Sequence, residues 1–105
     1  MESTIADIAR STVFNDRPDA LCVSGLTAGV PSSAEALKVV KAAVPQTPVF
    51  ANTGVRLANI EEQLAVADGA VVGTTFKRDG YIWNEVDARR VTEFMDQVKR
   101  FRKGR

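Results

Sequence analysis

Segments with helical apolar spacing alternate along the chain with short runs of consecutive apolar residues. The first segment, residues 3–14, places apolar side chains on one helical face and is predicted to be a helix. The residues on that face are Ile5, Ile8, Ala9, Thr12 and Val13. Residues 20–23 then form an uninterrupted apolar run that ends at Ser24-Gly25. Such runs are typical of parallel strands covered on both faces, so we predict a buried strand here.

The same order of helix and strand repeats after residue 31. Ser32 and Glu35 have the spacing of a capping box, in which each side chain satisfies a free amide at the start of a helix. The buried stripe of this second helix consists of Ala36, Leu37, Val40, Ala43 and Val44. The helix should end before Pro45 and Pro48, because the residue before a proline disfavours the helical conformation. Residues 49–51 follow as the second predicted strand.

Two further helices and one strand complete the pattern. Asn59 with Glu62 is predicted to open the third helix, and residues 70–72 are predicted to form the third strand. The inner face of the third helix consists of Ile60, Leu64 and Ala67. Asp87 is a favourable N-cap for the last helix. The apolar stripe of that helix consists of Val91, Phe94, Met95, Val98 and Phe101.

This alternation predicts an α/β fold with parallel strands joined by right-handed crossovers. We treat residues 1–105 as one domain, since 105 residues are enough for one core only. Three buried parallel strands leave two unpaired outer edges. They fit either a small open sheet or a slice of a closed barrel, whose edges another subunit or a missing segment would cover. We favour the slice, with about three βα units and a leading helix.

Composition and charge narrow the function classes. The 14 basic and 13 acidic residues give a net charge of +1, which argues against disorder and against a nucleic-acid-binding surface. The basic segment at residues 99–105 is expected to offset the dipole of the last helix; the alternative is a tail that touches RNA or anionic lipid. The chain shows neither a bilayer-spanning apolar run nor a signal peptide, so we predict a cytoplasmic protein without a transmembrane segment. The single cysteine, Cys22, excludes an internal disulfide and is expected to act as a small buried hydrophobe.

Each predicted strand is followed by small polar residues or glycine. The three strand ends are Ser24-Gly25, Asn52-Thr53-Gly54 and Gly73-Thr74-Thr75. In βα architectures ligands bind at the carboxyl ends of strands, and free amides at such turns bind anions. The second and third strand ends therefore predict a phosphate site. The alternative is that these turns need glycine, serine and threonine for their shape alone.

Catalytic groups are scarce in the sequence. The chain contains no histidine, which excludes Ser-His and Cys-His nucleophile pairs and histidine metal sites within it. The titratable candidates after the third strand are Lys77, Asp79, Glu85 and Asp87. Lys77 is interpreted as a solvated surface lysine, a phosphate-neutralising group or a Schiff-base lysine, and Asp79-Gly80 predicts a turn. Tyr81 and Trp83 are expected to cover a barrel mouth or edge, with stacking on a ligand as the alternative. We assign no catalytic residue, cofactor or metal.

Three segments carry a more specific pattern. They are "VSGLTAG" at residues 23–29, "NTGV" at residues 52–55 and "ADGAVVGTTFKRDGYIWNEVDARRVTEFM" at residues 67–95. Together they resemble the carboxyl-terminal part of the BtpA/SgcQ family. The resemblance implies a TIM barrel of the ribulose-phosphate-binding type, of which this chain would hold strands six to eight. It also implies phosphate-loop positions for Gly54, Val55, Gly73 and Thr74. The namesake of the family is linked to photosystem I biogenesis in cyanobacteria, and members elsewhere have no settled reaction.

The leading hypothesis is a fragment or truncated family member that forms the phosphate-binding half of a barrel. The predicted phosphate-binding residues are Asn52, Thr53, Gly54, Val55, Gly73 and Thr74, and the predicted further ligand contacts are Ser24, Gly25, Thr75 and Lys77. The alternative is a subunit of an oligomer-completed barrel enzyme that acts on a phosphorylated sugar or nucleotide-like metabolite. A third hypothesis is an assembly or stability factor that acts through its surface. The expected partners are a phosphate-containing small molecule and either further copies of the chain or a missing barrel half, and no nucleic acid.

Overall fold

The computed structural model describes residues 4–25 and 33–104. Within them, helices and strands alternate in the predicted order. In chain order they are α1 (Ile5–Asp16), β1 (Leu21–Val23), α2 (Ala34–Ala43), β2 (Val49–Ala51), α3 (Ile60–Leu64), β3 (Gly69–Ala70) and α4 (Ala88–Lys103). Two single 3₁₀ turns, Thr74–Phe76 and Arg78–Gly80, lie between β3 and α4. The α/β class predicted from the sequence is therefore confirmed.

The strands form a parallel sheet in which β2 lies between β1 and β3. Cys22 pairs with Phe50, and Phe50 pairs with Gly69. Gly69 lacks a side chain at a point where a Cβ would lie 3.1 Å from the Phe50 ring, so the ring can pack against β3. The third strand is shorter than the predicted residues 70–72, and Val71 beyond it is 47% exposed.

Only one face of the sheet is buried, which corrects the prediction that the strands are covered on both faces. Val23, Val49 and Ala51 belong to the buried core. The alternate row is different, because Cys22 is exposed and Phe50 is half-buried. Since successive side chains of a strand point to opposite faces, the second face of the sheet is open at β1. The expectation that Cys22 is buried is wrong for the same reason.

The helices pack side by side in chain order, α1 on α2, α2 on α3 and α3 on α4. The predicted apolar stripes of α2 and α3 are confirmed, and so is that of α4 except for Val91, since the other stripe residues supply the core or pack against it. The buried residues of these three stripes are Leu37, Val40, Val44, Ile60, Leu64, Ala67, Phe94 and Val98, of which Val44 and Ala67 lie just beyond the ends of α2 and α3. The stripe of α1 is wrong in part: Ala9 is buried, but Ile5 and Ile8 are exposed. Among the described elements α1 packs mainly on α2, which leaves Ile5 and Ile8 on its uncovered side.

The helix starts follow ordinary capping chemistry, with two differences from the prediction. Asp87 caps α4 by accepting a hydrogen bond from the Arg89 amide at 2.9 Å, as expected. Ser33 caps α2 through the Ala36 amide, whereas the predicted Ser32 lies outside the described residues. Asn59 precedes α3 without capping it, because its side chain is engaged in the preceding turn. The basic residues Arg100, Arg102 and Lys103 lie in the last turn of α4, where they offset the helix dipole.

Candidate functional site

A groove of about 690 Å³ opens at the carboxyl ends of β2 and β3. The residues that line it are Asn52, Thr53, Gly54, Val55, Arg56, Leu57, Ala58, Val71, Gly73, Thr74, Thr75, Gly80 and Arg90. All six residues that the sequence predicted as phosphate-binding are among them, together with Thr75. Parallel pairing explains this convergence, because the ends of adjacent parallel strands meet at one edge of the sheet. Whether these residues bind phosphate stays a prediction at this point.

The turn after β2 is built on left-handed backbone. Thr53 has φ 63° and Gly54 has φ 62°, a conformation that glycine adopts readily and a β-branched residue rarely does. Asn59 holds the turn from α3: its Oδ1 accepts from the Arg56 amide at 2.9 Å, and its Nδ2 donates to the Gly54 carbonyl at 3.0 Å. The turn is therefore fixed in shape by side-chain hydrogen bonds of the chain itself.

Several backbone amides of the groove remain available for a ligand. Within the described residues, no hydrogen bond is donated by the amides of Gly54, Val55, Gly73, Thr74 and Thr75. The 3₁₀ turn Thr74–Phe76 explains two of them, since the first amides of a helical turn have no partner within it. Unpaired amides that share one concave surface are suited to the oxygens of an anion.

The charge of the lining also favours an anion. Among the described residues, the charged side chains of the lining are Arg56 and Arg90, and none is a carboxylate. Arg56 Nε donates to the Gly54 carbonyl at 3.1 Å, and Arg90 Nε donates to the Thr75 carbonyl at 2.7 Å. Sequence reasoning missed both arginines, because an arginine in a loop or on a helix has no spacing that separates it from ordinary surface charge. The only available signal was that Arg56 follows the predicted turn at Gly54 by two residues.

The strand end of β1 differs from the other two, because its polar groups are used within the protein. The Gly25 amide donates to Thr53 Oγ1 at 2.9 Å, and Asn52 Nδ2 donates to Ser24 Oγ at 3.0 Å. Neither Ser24 nor Gly25 lines the groove. Their predicted role as further ligand contacts stays a prediction, and in this structure they brace the turn after β2.

The four titratable candidates predicted after the third strand lie outside the groove lining. They are Lys77, Asp79, Glu85 and Asp87. Lys77 pairs with Val86 in an antiparallel bridge, and Glu85 forms an ion pair of 3.7 Å with Arg78. Asp79 has φ 56°, and Gly80 has φ 69°, so the predicted turn is confirmed. The predicted ligand contact at Lys77 is not tested by this arrangement. Tyr81 and Trp83 are also absent from the lining, and Trp83 is 82% exposed.

The parallel βα units place the chain in the class of α/β proteins, in which the groove at the strand ends is the usual place for a ligand. Within that class, the chain belongs to the BtpA family, whose sequence model matches residues 1–100. It is 59% identical over 99 residues to the sgc region protein SgcQ of Escherichia coli, which covers 94% of this chain and 37% of SgcQ. It is 35% identical over 96 residues to an uncharacterized protein of Thermococcus kodakarensis, covering 91% of this chain and 36% of that protein.

A third relative is the photosystem I biogenesis protein BtpA of Synechocystis. It is 31% identical over 87 residues, which cover 83% of this chain and 30% of that protein. The chain thus spans about a third of the length of these curated relatives. The comparison with solved structures gave no significant match. Among the described residues, no helix has the length and apolar character needed to cross a membrane.

Proposed function

We propose that the groove binds the phosphate group of a small-molecule ligand. The observation that supports this is the convergence of unpaired amides and two arginines on one surface, where no described residue contributes a carboxylate. Hydrogen bonds to a charged group contribute about 1.5–3 kcal/mol each. Two or three of them are enough for millimolar to micromolar affinity, which begins near −4 kcal/mol.

The size of the groove favours an organic phosphate over the free ion. About 690 Å³ lies within the range of about 300–1,000 Å³ that is usual for small-molecule sites. Val55, Leu57 and Val71 give one part of the lining an apolar character. We therefore propose a ligand with a phosphate at the strand ends and an organic body against these side chains, which suits a phosphorylated sugar or a nucleotide-like metabolite.

Inorganic phosphate provides the first test. Phosphate should raise the melting temperature of the chain relative to sodium chloride of equal ionic strength, because a ligand of the folded state stabilises it. A concentration 100 times the dissociation constant corresponds to about 2.7 kcal/mol. For a domain of this size that amounts to an increase of more than about 10 °C.

Gly73 offers a clean variant for this test. A Cβ at Gly73 would meet no atom within 4 Å, so a small side chain fits there. Gly73→Asp should abolish the phosphate-dependent increase by placing a carboxylate beside the anion site, and Gly73→Asn, which has the same size without charge, should retain most of it. Equal phosphate responses of the two variants would contradict the proposed site.

We further propose that the described sheet is part of a barrel, with the three strands in the positions of strands six to eight. Two observations support this. The helices pack side by side in chain order, and one face of the sheet is open where a barrel interior would lie. The outer edge of β1 has no strand partner among the described residues. Completion by further copies of the chain or by a separate barrel half would cover these surfaces.

No carboxylate lines the groove among the described residues, which favours one alternative function. A catalytic acid or base would then come from outside these residues, for example from a second subunit of an oligomer-completed enzyme that acts on a phosphorylated sugar or nucleotide-like metabolite. The name of the Synechocystis relative suggests a different alternative, an assembly or biogenesis factor. Exposed Tyr81, Ile82 and Trp83 would then form its contact surface.

A further inference from the structure

The side chain of Arg90 connects the last helix to the groove. Arg90 lies in the first turn of α4, and its Nε donates to the Thr75 carbonyl at 2.7 Å. Both residues line the groove. None of the other Arg90 donors forms a hydrogen bond with a described residue. The guanidinium is therefore fixed at one nitrogen, while its terminal nitrogens Nη1 and Nη2 remain available.

Arg90 has no acidic partner among the described residues. The ion pairs found there join Arg10 to Asp7, Lys41 to Asp68 and Arg78 to Glu85. Glu93, three residues further along α4, is exposed and forms no ion pair with Arg90. Because Arg90 is half-buried, its charge loses hydration without gaining a counter-charge. An anionic ligand in the groove would supply that counter-charge.

Gly80 provides the space for the guanidinium. A Cβ at Gly80 would lie 3.4 Å from Arg90 Nη2, which is a tight contact. Gly80 also has φ 69°, a conformation in which a larger residue is strained. Gly80 lines the groove together with Arg90. The turn after β3 thus places Gly80 beside Arg90 Nη2, where a larger residue would crowd the guanidinium.

We infer that Arg90 is the specificity-determining residue of the groove and that its Nη1 and Nη2 donors bind phosphoryl oxygens of the ligand. This inference rests on the phosphate-binding function proposed above. It adds that the Arg90 side chain is the group that recognises the negative charge of the phosphate. A guanidinium offers a planar pair of donors that matches two oxygens of a phosphoryl group, and a lysine does not. Arg90 should therefore contribute most of the preference of the groove for phosphate esters over neutral analogues, beyond what the backbone amides provide.

Titration of the full chain with inorganic phosphate tests the inference. Arg90→Gln should bind phosphate about 10- to 100-fold more weakly than the wild type, the loss expected for hydrogen bonds to a charged group. Arg90→Lys retains the charge without the planar fork and should bind with intermediate affinity. The matched control is Arg89→Gln, which removes the same charge from an exposed neighbour and should bind within twofold of the wild type.

The outcomes separate this inference from the proposed function. If the wild type binds phosphate and Arg90→Gln binds as tightly as Arg89→Gln, the inference is wrong, although the phosphate site stands. If the wild type does not bind, the proposed function itself fails. A purely structural role would lower the melting temperature of unliganded Arg90→Gln and leave phosphate affinity unchanged, which would also overturn the inference. If Arg90→Gln does not fold, the phosphate affinity of Arg90→Lys is the deciding measurement. An affinity equal to that of the wild type would contradict recognition by the planar guanidinium group.

Discussion

Thr53 combines an unfavourable backbone conformation with a useful side-chain contact. A β-branched residue with positive φ is an outlier, and such conformations cost about 1–3 kcal/mol. Its Oγ1 accepts a hydrogen bond from the Gly25 amide, which joins the end of β1 to the turn after β2. The threonine hydroxyl is thus an acceptor for a half-buried amide that would otherwise lack one. This contact explains why a threonine stands at a position that suits glycine or asparagine.

Two substitutions at Thr53 separate these effects. Thr53→Val keeps the shape and the β-branch but removes the acceptor, and it should lower the free energy of unfolding by about 1–3 kcal/mol. Thr53→Ser keeps the hydroxyl and removes the branch, and it should leave that free energy unchanged or raise it, because a branched side chain at positive φ is strained. Urea denaturation measures both values. A valine variant as stable as the serine variant would show that the Gly25 amide does not need this acceptor.

The small residues of the site could be predicted from the sequence, but its charged residues could not. Glycine, serine and threonine after an apolar run mark a strand end directly, and parallel pairing then brings Gly54 and Gly73 to one groove. Arg90 reaches the groove only because α4 packs beside the turn after β3, a contact between distant parts of the chain. The use of Ser24 and Gly25 inside the protein likewise depends on a contact with Asn52 and Thr53.

At the scale of elements, Lys41 and Asp68 form an ion pair that connects three parts of the fold. Lys41 lies on α2, and its contacts lie just before β2 and just before β3. Lys41 Nζ lies 2.8 Å from Asp68 Oδ2, and it also donates to the Thr47 carbonyl at 3.2 Å. The same Asp68 oxygen accepts from the Val49 amide at 2.8 Å. The hydrogen bond from Lys41 and then that from Val49 hold the pKa of Asp68 below its ordinary value. Asp68 thereby fixes the start of β2 against the start of β3.

This pair makes stability depend on pH in a defined direction. A carboxyl group with a lowered pKa in the folded state stabilises the fold above its unfolded pKa, which is about 4, and loses that contribution as the pH falls through the folded pKa. Asp68→Asn should therefore be destabilised by about 0.5–1 kcal/mol at pH 7, a modest value because the carboxylate is partly exposed and screened. The difference from the wild type should shrink as the pH falls from 4 towards 2.

Thermal unfolding at several pH values measures this difference. Asp96→Asn is the matched control, because Asp96 is exposed on α4 and forms no ion pair among the described residues. A destabilisation of Asp68→Asn that is the same at pH 7 and pH 2.5 would show that the charge of Asp68 does not contribute.

The sequence predicted which elements form better than it predicted what covers them. Apolar periodicity identified α2, α3 and α4 because each has a neighbour on its apolar side. The same periodicity marked Ile5 and Ile8 for burial, and the run containing Cys22 for coverage on both faces. Apolar spacing shows only that a side chain is suited to burial. A side chain is buried only where another element packs over it. Within the described residues, α1 and β1 are packed against other elements on one side only.

At the scale of the whole molecule, the large apolar residues that are exposed fall in two segments, one before β1 and one between β3 and α4. Ile5, Ile8 and Phe14 are exposed on α1, and Phe14 is 83% exposed. The exposed residues of the second segment are Val71, Tyr81, Ile82, Trp83 and Val86. Both groups neighbour the outer strands β1 and β3 in sequence. Their arrangement is that expected if further βα units continue the sheet at both edges.

The mass of the chain in solution tests this arrangement. Under reducing conditions, which prevent disulfides through exposed Cys22, sedimentation of the 11.4 kDa chain should show an oligomer if further copies complete the barrel. Cys22→Asp places a charge on the open face and should shift the mass towards the monomer. Lys38→Glu, which alters an exposed residue of α2, should leave the mass unchanged.

If the chain is a monomer, mixing it with the part of SgcQ that it does not match should give a complex, because that part would supply the missing units. A well-folded monomer that forms neither assembly would contradict the barrel proposal, since the open face of the sheet would then be stable in water.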